Sequence, residues 1–461
     1  MDVIAHLRRV AYARPRVFVA EAPGGTQARL RVERLARANG WPWAEAPPDA
    51  DVLVLCGCFG RLSAPLVARL QAMLDPPAGT LLVVDDDDAA DHIAVDVRVK
   101  PADAETGLEA ARQRLWQHPE PARTLFGEAN AHAGHGSSNR DHAEEGSAGG
   151  HEEHSGHDHQ GGDGAREGRD RGDHGDQGHH RGMQPGGLPL AARAEDRDGL
   201  PLDVLYVPLG PVLSAWPAGL TLQLTLQGDV IQDLQVDTRH FAAKDSVRAF
   251  WNVPWHRALA GDEVPVAEAA RHRAAAHLDS LARFLYVAGD EGGALIAARL
   301  RDEALVGQTA DRLLQQVATL ERRLVRGRLL DRVTRGVGRI EPQRAVEIEL
   351  SGPALRASNG GGGRPRPATA LGEGDARSRW HQWLGETKQA LQQAADGGSA
   401  TMSTKGRFEG PRGVLGQHTA PSRALLGAIC ETLVGQELAV ARLIVASFDP
   451  DVAELDEAGE G

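Results

Sequence analysis

Between His132 and His180 the chain carries almost no apolar side chain, and such a stretch cannot bury enough surface to offset the entropy of ordering it. It reads as a disordered linker. The 461 residues therefore divide into a piece spanning 1–125, a connector spanning 126–195 and a larger piece spanning 196–461. Each flanking piece is long enough to build a core of its own.

The connector holds ten histidines between His132 and His180, interleaved with Gly, Asp, Glu, Arg and Ser. Neutral imidazoles on a pliable chain can converge on one nickel or zinc ion, and His151, His154, His157, His159, His179 and His180 are the candidate ligands. Their spacing fits no structural zinc pattern. Metal buffering and an inert polar linker both remain open on this composition.

In the first piece, residues 16–20, 51–55 and 80–84 read as buried strands and residues 28–38 and 63–73 as helices. Strand and helix alternating at this interval predict a small doubly wound α/β unit with a parallel sheet. Gly24-Gly25 turns the chain after the first strand without the G-x-G-x-x-G spacing of a dinucleotide site. Asp85–Asp88 ends the third strand, where charge runs are usually solvated.

The second piece opens with a hairpin, because Leu220, Leu222, Leu224 and Leu226 alternate with polar residues before a Gly228-Asp229 turn. Helices follow. Residues 266–287 form one, and residues 309–326 form another with Leu313, Val317, Leu320 and Leu324 on a single stripe. The fold class expected overall is α+β, a mainly helical C-terminal domain with a hairpin or small sheet, preceded by the α/β unit. Next comes a stretch punctuated by Gly336-Val337-Gly338 and Gly352-Pro353. The intervening dozen residues read as mostly non-helical, and the second turn is expected to place Arg356 and Ser358 on a loop. The last helix is expected over residues 423–434.

Several of these segments carry a family likeness. Arg332-x-x-Arg335-Gly336-Val337-Gly338, with Gly352-Pro353-x-Leu355-Arg356-Ala357-Ser358, resembles the quinone-site subunit of NADH-quinone oxidoreductase (complex I) and its relative, the nickel-iron hydrogenase large subunit. Gly374-Asp375, Arg379, Glu386 and Gln389 continue the likeness, as does Glu409-Gly410-Pro411-Arg412-Gly413. Ser447-Phe448-Asp449-Pro450-Asp451-x-x-Glu454 is similar to the hydrogenase ending, with Asp451 and Glu454 at its two cysteine positions. Without the likeness these acids would read as a solvated tail. A fainter likeness joins the first piece to the small, cluster-bearing subunit of the same complexes, whose Gly-Gly-Cys turn is here Gly24-Gly25-Thr26.

The likeness implies membership of a membrane-associated oxidoreductase complex, with Arg356, Ser358, Glu409, Arg412 and Asp449 around a quinone pocket. Departures from the family weaken turnover. Leu213 or Trp216 stands at the quinone histidine, and Trp383 at a second arginine. Three cysteines, Cys56, Cys58 and Cys430, cannot hold a four-thiolate iron-sulfur cluster, and carboxylates cannot hold a nickel-iron centre. The expectation is a degenerate subunit with a vestigial quinone pocket and a structural role, while NADH is oxidised elsewhere. The alternative is a nickel- or zinc-binding protein acting through the histidine tract. A third and weaker alternative is a free-standing enzyme using the carboxylates near Glu409 and Asp449, although no nucleophile has a base beside it.

A formal charge of −13 with no basic face standing out argues against nucleic-acid binding. The few cysteines fit a reducing cytoplasm. No run approaches the roughly 20 apolar residues of a membrane span, so the expected location is cytoplasmic, or peripheral at the inner face of the cell membrane through partners, without direct insertion.

Overall fold

The computed structural model describes residues 3–85, 92–117, 193–195, 201–238, 249–359, 374–403, 408–416 and 419–457. All of them belong to one compact unit, Met1–Arg123 with Ala191–Gly461. The histidine tract lies outside the described residues.

The chain begins with α1 (Val3–Ala11), then β1 (Val17–Glu21), α2 (Thr26–Ala38), β2 (Val52–Cys56), α3 (Ala64–Ala72), β3 (Gly79–Val83), β4 (Val97–Val99) and α4 (Ala104–Gln117). The strands form a parallel sheet in the order β1-β2-β3-β4. Strands buried on both faces need side chains that are apolar at every position, and Val52 to Cys56 reads VLVLC, all buried. Phe18, Leu53, Leu55 and Leu82 pack against α3 on one face. Val17, Val52, Val54 and Leu81 pack against α2 and α4 on the other, so the unit is doubly wound.

Its winding order depends on one residue. Trp43 makes a single parallel bridge to Val17, so after α2 the chain touches the outer edge of β1 before it crosses to β2. The direction of winding reverses between β1 and β2. Their C-terminal ends are the topological switch point, where open α/β sheets ordinarily bind ligands. Here the backbone closes it. A Cβ on Gly25 would lie 2.2 Å from the Cys56 carbonyl oxygen, and one on Gly57 would lie 2.6 Å from the Gly25 Cα.

The second part starts with an antiparallel sheet of β5 (Arg193–Glu195), β6 (Pro201–Leu209), β7 (Thr221–Gln227) and β8 (Val230–Asp237). Helices α5 (Val253–Leu259), α6 (Val266–Val287), α7 (Glu291–Leu305), α8 (Ala310–Arg326) and α9 (Arg328–Thr334) follow. The remainder is α10 (Pro342–Glu347), α11 (Gly352–Ser358), α12 (Ala376–Asp396), α13 (Pro421–Leu433), α14 (Leu438–Phe448) and α15 (Ala453–Glu457). The Leu313, Val317, Leu320 and Leu324 stripe is buried with Leu278, Leu281, Trp380 and Leu384 in the main core. Leu222 and Leu224 of β7, with Leu220 just ahead of it, pack against α13 and α14 in a second core. The whole is α+β, with the parallel sheet in its first part and helices dominating its second.

Three local expectations fail. Arg356 and Ser358 stand on helix α11, not on a loop, because Gly352-Pro353 starts a helix here. A proline in the first turn has no donor to waste, and its φ already suits the helix. Pro342 starts α10 in the same way, inside the stretch expected to be non-helical. The helix at residues 421–433 is not the last, since α14 and α15 carry the C-terminal acids into the interior.

Candidate functional site

α6 and α12 pack side by side, and residues three to four apart on each helix face the same side. His277, Ser280 and Arg283 come from α6; Arg379, Trp383 and Glu386 come from α12. Arg356 of α11, the turn carrying Glu409 and Arg412, and the end of α14 complete the surroundings.

Asp449 sits at the C-terminus of α14 in the left-handed conformation, φ 46°, and this bend turns its carboxylate inward. That carboxylate accepts hydrogen bonds from Ser280 Oγ at 2.7 Å and Arg412 Nη2 at 2.8 Å, with Arg283 Nη1 at 3.4 Å. Arg412 Nε also donates to the Asp449 carbonyl oxygen at 2.7 Å. Arg412 and Asp449 are both buried, so each depends on the other for its charge.

Arg356 bridges two carboxylates, donating to Glu386 at 2.7 Å through Nε and to Glu409 at 2.6 Å through Nη2. Burial alone would raise the Glu386 carboxyl, but His277 and Arg356 outweigh it and hold the group well below the usual carboxylate range. His277 Nε2 lies 3.3 Å from Glu386 Oε2 at an angle that leaves the nitrogen without a well-aligned hydrogen bond. Ser358 is turned away. Its hydroxyl donates to the Ala354 carbonyl at 3.0 Å, one turn back in its own helix.

Arg379 is buried with neutral partners, donating to Ser447 Oγ at 2.8 Å and the Gly374 carbonyl at 2.7 Å while its guanidinium stacks 3.8 Å from the Phe448 ring. Burial brings it down to about 9. Glu454 accepts from the Ser422 hydroxyl and, at 3.1 Å, from Asn252 Nδ2. Its burial, with Asp451 nearby, pushes it up to about 7 against the pull of Arg412.

The remaining space between these groups is a cavity of about 20 Å3, lined among others by His277, Ser280, Arg379, Trp383, Arg412 and Asp449. One water needs about 10–15 Å3, so the cavity holds a water or two. Arg356, Ser358 and Glu409 do not line it. Trp216 is buried with its indole N–H donating to the Leu220 carbonyl at 2.7 Å, and Leu213 packs against the second core. Among the described residues no group of three or more His, Cys, Asp or Glu side chains is arranged to hold a metal ion.

A second charged cluster gave little sign of itself in the sequence. Asp279 of α6 accepts from Arg29 Nη2 at 2.7 Å and Arg301 Nη1 at 2.6 Å. Arg29 also meets Glu21 at 2.8 Å and Glu33 at 2.9 Å, and Glu33 meets Arg301 at 2.8 Å. Burial opposes ionisation of Glu33, yet Arg29, Arg301 and Arg37 hold it at about 2. Thr26, which follows the Gly24-Gly25 turn, donates to Glu21 at 2.7 Å. This cluster lies at the switch point of the parallel sheet, so the arginine and carboxylates of the chain itself occupy the ligand position. The one sequence signal was Asp279, a lone charge in an otherwise apolar and neutral run from Ala274 to Ala282.

No protein-family model matches the chain, and no curated protein matches it. Among solved structures it is similar to a chain of the membrane-bound sulfane sulfur reductase, an archaeal respiratory membrane complex. The identity is 17%, the match covers 55% of this chain and 98% of that one, and the TM-score is 0.43. A likeness of that degree establishes neither kinship nor activity.

Proposed function

We propose that this chain is a non-catalytic structural component of a complex I-like or hydrogenase-like oxidoreductase assembly. One observation carries the reading. The motif segments that resemble that family lie about 40 to 100 residues apart, yet they meet around one centre and close it with their own charges. Arg356 of the first segment meets Glu409 of the second at 2.6 Å, and Arg412 of the second meets Asp449 of the last at 2.8 Å.

Closure argues for structure over turnover. Ligand pockets run to roughly 300–1,000 Å3, and a cavity of about 20 Å3 has no room for a quinone headgroup. Every carboxylate around it is already held by an arginine, a serine or an asparagine. On another face of α6, one residue before Ser280, Asp279 fills the switch point together with Arg29. Two places suited to a redox group are thus built as ion-pair joints; the one at the switch point also joins the two parts of the chain.

Affinity purification of the tagged chain from its own cells in mild detergent, with metal analysis of the eluate, tests the proposal. Co-purifying membrane-arm subunits of an oxidoreductase are expected. A lone protein carrying nickel or zinc would overturn the reading and bring forward the histidine tract as a metal-handling device.

A further inference from the structure

The junction of α8 and α9 carries a basic surface that the proposed role leaves unused. From Arg322 to Arg339 seven arginines are exposed against one acidic residue, Asp331, in a chain of formal net charge −13. Four of them have partners. Arg323 meets Asp290 at 2.7 Å, Arg335 meets Asp331 at 2.5 Å, Arg339 meets Glu341 at 2.8 Å, and Arg322 donates to the Thr319 hydroxyl at 3.0 Å. Arg326, Arg328 and Arg332 have no ion pair or hydrogen bond from their side chains among the described residues.

Aliphatic side chains protrude between these cations. Val325 is 55% exposed, Leu329 74% and Val333 40%. The cause is local. Gly327 ends α8 and begins α9, whose inward side is taken by Leu330 and Thr334. Leu329, Arg332 and Val333, at positions i, i+3 and i+4, are left on the outward side. Hydrophobic side chains on a helix normally turn to the core, and the core beneath is already filled by Leu320, Leu324 and Leu330.

We infer that this surface docks the chain directly onto an anionic lipid bilayer. Guanidinium groups pair with lipid phosphate in a fork, and short aliphatic tips enter the boundary between headgroup and acyl chain. The mixture favours lipid over an acidic peptide, which would use the charges and leave Leu329 in water. The contact lies in the plane of the interface. Among the described residues no helix is long and apolar enough to cross a membrane.

The test uses the purified full-length chain and vesicles of phosphatidylcholine alone or with about one-third phosphatidylglycerol. Sedimentation with the anionic vesicles, weakening as salt is added, is expected; neutral vesicles should leave the chain in solution. α1 also exposes Val3, Leu7 and Val10 beside Arg8 and Arg9, so the variants, not binding alone, assign the contact to this surface. An arginine near the surface contributes roughly five-fold, so R326Q/R328Q/R332Q should lower the partition coefficient about 100-fold. Leu329→Asp should lower it independently, and an unchanged melting curve verifies that both exposed variants fold.

Wild-type protein that ignores anionic vesicles, or a triple variant that sediments as well as wild type, overturns the proposal. Loss of a co-purifying acidic protein from the triple variant, with no vesicle binding by the wild type, would make the surface a protein dock and overturn it equally. The measurement involves no partner chain, so it stands or falls apart from the proposed structural role in an oxidoreductase.

Discussion

Arg29 Nη2 lies 2.7 Å from Asp279 Oδ2 although 250 residues separate them in the chain. The pair joins the first helix after β1 to the middle of the longest helix of the second part. Both groups are buried, and Arg301 and Glu33 close the cluster around them. Buried ions held in this way contribute little net stability as a set, but each is costly to orphan.

Asp279→Asn should therefore destabilise the protein by about 3 kcal/mol or more, since it leaves Arg29 and Arg301 with one counter-charge fewer in the interior. Urea unfolding followed by tryptophan fluorescence gives the number. A loss below about 1 kcal/mol would mean that water reaches the cluster.

The centre near α14 yields a contrast between two arginines. Arg412 is buried against Asp449, whereas the Arg356 side chain is 38% exposed beside Glu409. Arg412→Gln should cost about 3 kcal/mol and Arg356→Gln about 1, the latter reduced by solvent screening. Equal losses would contradict the burial difference.

Glu454 gives a pH dependence. Its folded value, raised from 4.5 to about 7, means that the folded state holds the proton more tightly than the unfolded chain does. The stability it contributes is fully present below pH 4.5 and is lost as the pH rises through 7, on the order of 3 kcal/mol in all. His272, lowered by burial, acts with the opposite sign, losing its contribution as the pH falls below 6.5. Glu33, held at about 2, acts only below pH 4.5. The difference between wild type and Glu454→Gln isolates the Glu454 part. Between pH 5 and pH 8 the wild type should lose stability relative to Glu454→Gln, as read by denaturation at the two pH values.

Two glycines with positive φ separate conformational strain from collision. Gly352 has φ +60°, and a Cβ there would lie 2.7 Å from the Arg412 carbonyl oxygen; Gly336 has φ +75° with open space around it. Gly336→Ala should cost about 1 kcal/mol, the left-handed penalty alone, and Gly352→Ala about 2–4 because backbone must also shift. Thermal melts of the two variants check the order.

Much of this architecture was legible because it follows from period. The helix over residues 266–287 and the hairpin around Gly228 declare themselves through apolar spacing, which depends on neighbours along the chain. The residues of the closed centre were singled out in another way. Likeness to a family pointed to Arg356, Glu409, Arg412 and Asp449, and they do form two adjoining pairs, but it gave no hint that Ser358 would bond within its own helix. Gly-Pro was misread because the same dipeptide that ends one element can start the next. The switch-point cluster stayed hidden since helical arginines are usually solvated, and nothing near Arg29 in sequence names a partner 250 residues away. A single bridge at Trp43 leaves no periodic trace at all.

α6 carries His277, Asp279, Ser280 and Arg283 within two turns, so one helix sets the phase of both charged joints. Each residue advances a helix by about 100°. One inserted residue ahead of His277 would rotate Asp279 away from Arg29 and Ser280 away from Asp449 in a single step. Substitutions along α6 act one at a time, whereas a change in its length uncouples the whole assembly. In any lineage of such chains, α6 is the segment whose length is least free to drift.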